Sequence, residues 1–331
     1  MSTSPSLEPS GRPRQREAGP VIIDTDPGID DLVALALALR SRSPEILAVT
    51  TTYGNAPLAT VTRNAEHLLR LAQRSEIPVH PGAGKPLSRP ATSAPEMHGD
   101  SGIGYAAANL PTPARVAPNE HVISELLADC PEPITLVTLG PLTNLAHALR
   151  DDRRLVSRRI KRHIGMFGCL RRRRSPHRWA DFNAWSDPEA AELVVSAQIP
   201  TYMVGLDVTR LIIIRAHEVQ TLASSSDPLS QWLGDALRFY VMAHRTRSGL
   251  EGCYVHDALA IGELLRPGLL RFADEGIEVD LDDGERRGHT RVSTRGDRLH
   301  VAVAVDSGLL RSLLDSVLRA QENSLPDKRG Q

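Results

Sequence analysis

Apolar and amphipathic stretches alternate along the first part of the chain. The apolar run Val21–Ile23 predicts a short buried strand, and the apolar stretch over residues 32–39 predicts a buried helix. Residues 45–52, rich in β-branched side chains, predict a second strand, and residues 56–73 carry apolar positions at helical spacing. A third short strand is predicted at residues 78–80. This alternation indicates right-handed crossovers and a parallel sheet.

The alternation resumes after a long segment, residues 82–118, that is rich in Gly and Pro and has little periodicity. Such a segment inside a compact domain is typically a lid or binding element, or else disordered. Further helices are predicted over residues 121–130, from about 142, over 187–197, within 227–265 and over 307–319. Further strands are predicted at 134–139, 164–167 and 200–207, and segments of alternating polarity at 276–281, 289–294 and 299–305.

Together these elements predict an α/β fold. We expect a single Rossmann-like domain with a mostly parallel central sheet, helices on both faces and a small antiparallel C-terminal edge. The domain is expected to cover residues 20–320. A disordered N-terminal tail, residues 1–19, and a flexible C-terminal tail, residues 321–331, are expected to flank it.

Composition narrows the functions that this fold can serve. Lys and Arg number 39 against 40 Asp and Glu, and aromatic residues make up only 4% of the chain. We therefore expect no nucleic-acid partner, because both a basic field and a base-stacking surface are lacking. Three widely spaced cysteines, no apolar run of membrane-spanning length and no apolar core of a secretory signal predict a cytoplasmic protein without a membrane partner.

Four carboxylates are concentrated between the first strand and the first helix. Asp24, Asp26, Asp30 and Asp31 would repel one another unless positive charge offsets them. The dipole and free N–H groups of a helix start can offset Asp30 and Asp31. Asp26 and Asp31 are better explained by a hard cation, which takes carboxylate oxygens. A plain turn with a helix cap is the alternative, and Asp24 is expected to bond the backbone of the loop.

Other candidate groups follow at the ends of later elements. Asn55 comes after the second strand and can converge with Asp26, because the carboxyl ends of parallel strands meet at one edge. His256-Asp257 precedes an apolar helix, and by itself this pair favours a helix cap made by Asp257. His98 lies in the glycine-rich loop, where a pocket role and a plain loop role are both open.

The segment Asp-Thr-Asp-Pro-Gly-Ile-Asp-Asp, residues 24–31, resembles the opening motif of the inosine–uridine-preferring nucleoside hydrolases. Three further segments resemble the same family: Leu139-Gly140-Pro141, Asp181-Phe182-Asn183 and His256-Asp257. The resemblance implies a calcium-dependent nucleoside N-ribohydrolase. Such an enzyme would cleave the N-glycosidic bond of a purine or pyrimidine ribonucleoside to free base and ribose. Ca²⁺ is the implied cofactor, and a homodimer or homotetramer is the implied assembly.

The resemblance also implies a role for each site residue. Asp26 would be the general base that activates water, and His256 the acid that protonates the departing base. Ca²⁺ would be held by Asp26, Asp31, Asp257 and the backbone carbonyl of Leu139. The residues implied to line the substrate are Asp30, Asn55, His98, Met166, Asp181 and Asn183.

Three departures from the family pattern fall around the expected 5′ end of the sugar. Asp181 stands where many members have Glu, Arg210 stands where His is common, and an Asn usually found before Asp181 has no match. The arginines at 171–174 are typical of a solvated loop, with an anion-binding role as the alternative. They suggest a substrate that is modified or phosphorylated at the 5′ position.

Two other functions stay open from the sequence. A phosphoester hydrolase also uses Asp-x-Asp after a strand, with one Asp as nucleophile and Mg²⁺ as the metal. The adjacent Asp30-Asp31 and the distant His256-Asp257 favour the nucleoside hydrolase over this alternative. The third function is a non-catalytic protein that binds ribose or nucleosides, and the presence of Asp26 and His256 argues against it.

Overall fold

The apolar run at the start of the domain forms a central strand. The computed structural model describes residues 19–41, 43–170 and 180–318. In it Val21–Thr25 form strand β1, and every residue of this strand is buried. The other strands are β2 Ile46–Thr51, β3 Val79–Pro81, β4 Ile134–Thr138, β5 Ile160–Gly165, β6 Thr201–Met203, β7 Ile213–Arg215, β8 Gly252–Tyr254, β9 Leu270–Val279, β10 Thr290–Val292 and β11 Asp297–Val305.

Helices connect these strands, mostly where apolar periodicity predicts them. They are α1 Ile29–Arg40, α2 Leu58–Leu71, α3 Pro95–His98, α4 Val122–Asp129, α5 Thr143–Arg159, α6 Phe182–Ser186, α7 Pro188–Val195, α8 Leu206–Thr209, α9 Ala216–Ala223, α10 Pro228–Ser248, α11 Asp257–Leu265 and α12 Ser307–Leu318. Asp187 caps α7 through its side chain, as predicted, with Pro188 at the first helical position.

Most of the strands join one twisted sheet. Within the described ranges its order is β10-β9-β11-β6-β5-β4-β1-β2-β3. The strands from β3 to β6 pair in parallel, and β11 pairs in parallel with β6. Strands β9 and β10 then add antiparallel pairs at the end. The predicted α/β fold, with its small antiparallel C-terminal edge, is confirmed.

Helices cover both faces of the sheet because alternate residues of each strand point to opposite sides. Val21 and Ile23 belong to the same apolar cluster as residues of α1, α10 and α11. Ile22 and Leu136 belong to a second cluster with residues of α4, α5 and α7. The sheet is therefore buried on both sides, which explains the near-continuous apolar character of β1.

Some boundaries differ from the predicted ones. The strand predicted over 200–207 stops at Met203, because Gly205 starts the short helix α8. Strands β7 and β8 form a separate antiparallel pair that the sequence pattern did not predict. The two predicted tails fall almost wholly outside the described residues, as does the arginine run 171–174, so these expectations stay predictions.

The topology places the acidic segment at the point where the strand order reverses. From β1 the chain moves outward through β2 and β3, and it then returns to the other side of β1 with β4, β5 and β6. In open α/β sheets, ligands bind beyond the carboxyl ends of the strands at such a point. Asp24 to Asp31 lie there. Among the described helices, none combines the length and apolar character that a membrane crossing requires.

Candidate active site

Asp26 lies in a narrow slot between the turns that follow β2 and β4. A Cβ atom on Gly140 would lie only 2.6 Å from Asp26 Oδ1, and a Cβ on Gly54 would overlap the other carboxylate oxygen. The backbone N–H of Asn55 donates to Asp26 Oδ2 at 2.7 Å. Oδ1 is buried and has no hydrogen-bond partner among the described residues. The predicted convergence of Asp26 with Asn55 is confirmed.

Asp31 is fixed from both sides in the first turn of α1. Its Oδ1 accepts from the Thr25 hydroxyl at 2.6 Å. Its Oδ2 accepts from the Gly28 N–H and from the Asn55 side-chain amide, both at 3.0 Å. Asp30 and Asp31 both lie at this helix start, where free N–H groups and the dipole favour negative charge.

Asp257 completes a buried cluster of carboxylates. Oxygens of Asp30, Asp31 and Asp257 all lie within 4.8 Å of one another. His256 is the N-cap residue of α11 and makes no side-chain cap bond, so the reading of Asp257 as a helix cap is wrong. The Asp257 side chain instead lies beside Asp31 in the cluster, at the first residue of α11.

The cluster is electrostatically costly without a cation. Burial, and then the neighbouring Asp31, raise the pKa of Asp26 well above its usual range. The same two causes raise the pKa of Asp30 to about 8, and burial followed by Asp31 and Asp30 raises the pKa of Asp257. A hard cation among these oxygens would offset the repulsion and give Asp26 Oδ1 a partner. The residues present therefore fit a metal ion.

Asn183 connects two segments that the sequence assigns to the site. Its side-chain nitrogen donates to the Leu139 carbonyl at 2.6 Å and to the Met166 carbonyl at 2.8 Å. Because both partners are acceptors, the amide nitrogen must face them and Oδ1 must face away. A carbonyl oxygen has two lone pairs, so Leu139 keeps one for a further partner.

Asp181 has a backbone role in the structure. Its Oδ1 accepts from the N–H groups of Asn183 at 2.9 Å and Ala184 at 3.2 Å, which caps α6. Its Oδ2 accepts from the N–H of Gly168 at 2.5 Å. Both carboxylate oxygens of Asp181 thus accept hydrogen bonds from backbone N–H groups of the protein. The expectation that Asp181 contacts the substrate has no support in this geometry.

Asp24 is also bonded differently from the expectation. Its Oδ1 accepts from the Thr50 hydroxyl at 2.5 Å and from the Asn144 side-chain amide at 2.7 Å. The predicted backbone partners are wrong, because the neighbouring strand and α5 supply side-chain donors instead. Burial raises the pKa of Asp24 to about 7.

A row of aromatic rings and imidazoles faces the acidic cluster. Tyr240 lies between His98 and His244, with ring centroids 5.1 Å and 4.4 Å away. Tyr254 connects His244 to His256 at 5.3 Å and 5.5 Å. The Tyr240 side chain also lies near Asp30 and affects the pKa of that carboxyl. His98 is therefore part of the site wall and not of a plain loop.

His256 stands at the end of this row with its Nδ1 held 2.7 Å from the Thr209 hydroxyl. Burial, followed by the nearby His244 and Arg210, lowers the pKa of His256 well below its usual range. Without a departing base nearby, this environment favours the neutral form of the imidazole over the protonated form.

The family model described as inosine–uridine preferring nucleoside hydrolase matches residues 21–311. The chain belongs to this family. The nucleoside hydrolase activity predicted from the resemblance, cleavage of a ribonucleoside to base and ribose, is confirmed at the level of the family.

Individual nucleoside hydrolases are similar over nearly the whole chain. The pyrimidine-specific ribonucleoside hydrolase RihA of Citrobacter koseri is 35% identical over 298 residues, which cover 87% of this chain and 93% of that protein. RihA of Salmonella typhimurium gives the same values. A plant nucleoside hydrolase, PpNRh1, superposes with a TM-score of 0.81 at 30% identity, covering 91% of this chain and 99% of that one. A purine-preferring ribonucleoside hydrolase from Gardnerella vaginalis superposes with a TM-score of 0.82 at 27% identity, covering 90% of this chain and 98% of that one.

The structure brings most of the predicted site of this nucleoside hydrolase together. Sequence reasoning missed Tyr240, His244 and Thr209, which also surround the carboxylates or His256. Tyr240 and His244 are spaced by four residues on α10, so they share one face of that helix. The same spacing is typical of core residues, and only the fold shows that this face meets His98 and Asp30.

Proposed function

We propose that this nucleoside hydrolase uses one Ca²⁺ held in the acidic cluster. The observation that carries the proposal is the buried, unpartnered Oδ1 of Asp26 beside three carboxylates whose oxygens lie within 4.8 Å of one another. Ca²⁺ takes six to eight oxygen ligands in flexible geometry. Asp26, Asp31, Asp257 and the free lone pair of the Leu139 carbonyl would hold it. When bound, it would supply positive charge that acidifies a nearby water and orients the sugar hydroxyls.

Side chains of the protein would carry out the proton transfers and bind the sugar. Asp26 Oδ1 accepts a proton from the attacking water, and the water oxygen bonds to C1′ of the ribose. The C1′–N bond then breaks, and its electron pair leaves with the base. The negative charge that develops on the base favours protonated His256, which transfers its proton to the departing base and becomes neutral. Asn183 Oδ1, Asn55 and Asp30 bind the sugar hydroxyls, so the positive charge that develops on the sugar faces carboxylates.

We propose pyrimidine ribonucleosides as the preferred substrates. Support comes from the RihA proteins, which are 35% identical to this chain and are named pyrimidine-specific. The purine-preferring enzyme from Gardnerella vaginalis is less similar, at 27% identity. The homo-oligomer, the cytoplasmic location and the 5′-modified substrate stay predictions. A clear preference for inosine over inosine 5′-monophosphate would contradict the last of these.

Product analysis tests the proposed reaction against its alternatives. We expect free base and reducing sugar, without phosphate, from uridine or cytidine at a higher kcat/KM than from inosine, and no release in a calcium chelator. Release of phosphate from phosphoesters would favour the phosphoester hydrolase. Nucleoside binding without base release by the calcium-loaded protein would favour the non-catalytic member.

A further inference from the structure

A threonine from a separate element holds the imidazole of His256. Thr209 is the last residue of α8, and its side chain is buried. Its hydroxyl oxygen lies 2.7 Å from His256 Nδ1, which is a hydrogen-bond distance. Because His256 stands at the start of α11, this contact joins two elements that are far apart along the chain.

Helix α8 is anchored so that this hydroxyl has little freedom to move. The N–H of Leu206 donates to the Gly168 carbonyl at 2.9 Å, and the N–H of Thr209 donates to the Gly205 carbonyl at 3.2 Å. A Cβ atom on Gly205 would lie 2.9 Å from the same Gly168 oxygen, so the start of α8 packs directly on the loop after β5. The β-branched side chain of Thr209 is also stiff about its first torsion.

The hydroxyl selects one orientation of the imidazole ring. The last torsion of a histidine side chain has two broad minima that differ by a half-turn of the ring. A half-turn exchanges Nδ1 with Cδ2 and Nε2 with Cε1, and it would leave Thr209 facing a carbon atom. His256 makes no side-chain cap bond to α11, and the Tyr254 ring, 5.5 Å away, contributes a ring contact. Within the described ranges, Thr209 is therefore the hydrogen-bond partner that decides where Nε2 lies.

A hydroxyl can keep this contact through a proton transfer. It carries one donor and two acceptor lone pairs, so it can accept from Nδ1–H or donate to an Nδ1 lone pair. The protonated ring has a proton on both nitrogens, and Nδ1–H then donates to the Thr209 oxygen. When Nε2 releases its proton, the ring keeps the proton on Nδ1, and the contact with Thr209 is unchanged.

We propose that Thr209 is a positioning residue for protonation of the departing base. It holds the ring of His256 in the orientation that directs Nε2 to the base. The Nε2–H bond breaks and leaves its electron pair on Nε2. The proton bonds to the base, which carries the electron pair of the broken C1′–N bond. This inference rests on the proposed function, in which His256 is the proton donor.

The test compares uridine with 4-nitrophenyl β-D-ribofuranoside, whose nitrophenolate departs without a proton from the enzyme. Thr209→Val keeps the branched shape and removes the hydroxyl. We expect its kcat on uridine to fall about tenfold with KM within about twofold of the wild type, because the proton donor is no longer held in place. Its kcat/KM on the nitrophenyl riboside should equal that of the wild type. Thr209→Ser restores the hydroxyl and should recover most of the uridine rate.

Two further variants separate positioning from general damage. His256→Ala removes the donor itself, so it should lose about 10²-fold or more on uridine and little on the nitrophenyl riboside. Thr221→Val is the matched control, because Thr221 is exposed on α9 and its hydroxyl bonds the His217 carbonyl of the same helix. Its rates on both substrates should equal those of the wild type. Thermal unfolding checks that each variant is folded, and Thr209→Ala takes the place of Thr209→Val if the valine variant is not.

Two results would overturn the inference. One is a wild-type kcat on uridine in the folded variant that lacks the Thr209 hydroxyl. The other is a loss by the same factor on both substrates, which would show general damage. If His256→Ala also loses equally on both substrates, the proposed proton donor fails and this inference fails with it. If His256→Ala loses selectively on uridine and Thr209→Val does not, this inference alone fails.

Discussion

Asp26 combines features that an ordinary loop residue would not have. It is 1% exposed, one of its oxygens has no partner in the described chain, and two glycines leave it room. Burial and Asp31 raise the pKa of its carboxyl. A fold gains nothing from an isolated buried charge. These properties are consistent with a carboxylate that binds a cation and accepts a proton from water.

Replacement of this residue tests its role. We expect Asp26→Asn to fold, with a thermal midpoint at or above that of the wild type in chelator, because a repelling buried carboxylate is removed. Its kcat/KM should fall by about 10³-fold, since a general base contributes about 10²–10⁴. Thermal unfolding measures the midpoint, and base-release kinetics measure kcat/KM. Activity within tenfold of the wild type would exclude Asp26 as the base.

Individual residues could be predicted from the sequence where their chemistry is unusual for their position. Four carboxylates between a buried strand and a buried helix signal a cation, and the structure places three of the predicted residues, Asp30, Asp31 and Asp257, in one cluster. The partners of Asp24 and Asp181 could not be predicted. They depend on which hydrogen-bond donors other elements bring near these carboxylates.

At the scale of elements, the site depends on how closely the turns after β2 and β4 approach β1. Gly54 and Gly140 form the walls of the Asp26 slot. The conformation of these glycines is ordinary, so the requirement is for space and not for backbone freedom. The apolar periodicity predicts where strands and helices lie, but it does not show how closely two turns pack.

The Asp26 slot makes a second prediction. In Gly140→Ala the new Cβ would lie 2.6 Å from Asp26 Oδ1, so the carboxylate or the turn must move. We expect kcat/KM to fall by about 10²-fold, because small misplacement of a catalytic group has costs of that order. Gly284→Ala is the control, since its Cβ would meet nothing within 4 Å. Equal activity of both variants would show that the slot is not needed.

Element boundaries were harder to predict than element types. The strand predicted to end at Asp207 ends at Met203, because an apolar run can serve a short strand and a following turn of helix equally well. The pair β7–β8 is formed by three-residue strands that leave little pattern. The mostly parallel character of the central sheet was predictable from the alternation of strands and helices, but the order of its strands was not.

At the scale of the whole molecule, the buried carboxylates couple stability to pH. Burial raises the pKa of Asp24 to about 7 and, together with Asp31, that of Asp30 to about 8, from an ordinary value of 3.8. The folded state without a cation therefore holds more protons than the unfolded state between about pH 4 and 8. Stability should fall as the pH rises through this window, because the unfolded chain ionises more easily.

This coupling predicts a calcium-dependent change in thermal stability. In chelator, we expect the unfolding midpoint to decrease from pH 5 to pH 8. Saturating Ca²⁺ should reverse the decrease, with a larger gain at pH 8 than at pH 5, since the cation competes with protons for the carboxylates. Asp257→Asn should lose most of that gain. A calcium effect of equal size at both pH values would contradict the coupling.

The most direct test of the proposed site is a calcium titration of the chelated enzyme, followed by the rate of base release from uridine. We expect no release in chelator, recovery of full activity on addition of Ca²⁺ with one ion bound per chain, and neither binding nor recovery in Asp31→Asn. Full activity in chelator, or full recovery of Asp31→Asn, would contradict the assignment of the acidic cluster as the catalytic calcium site.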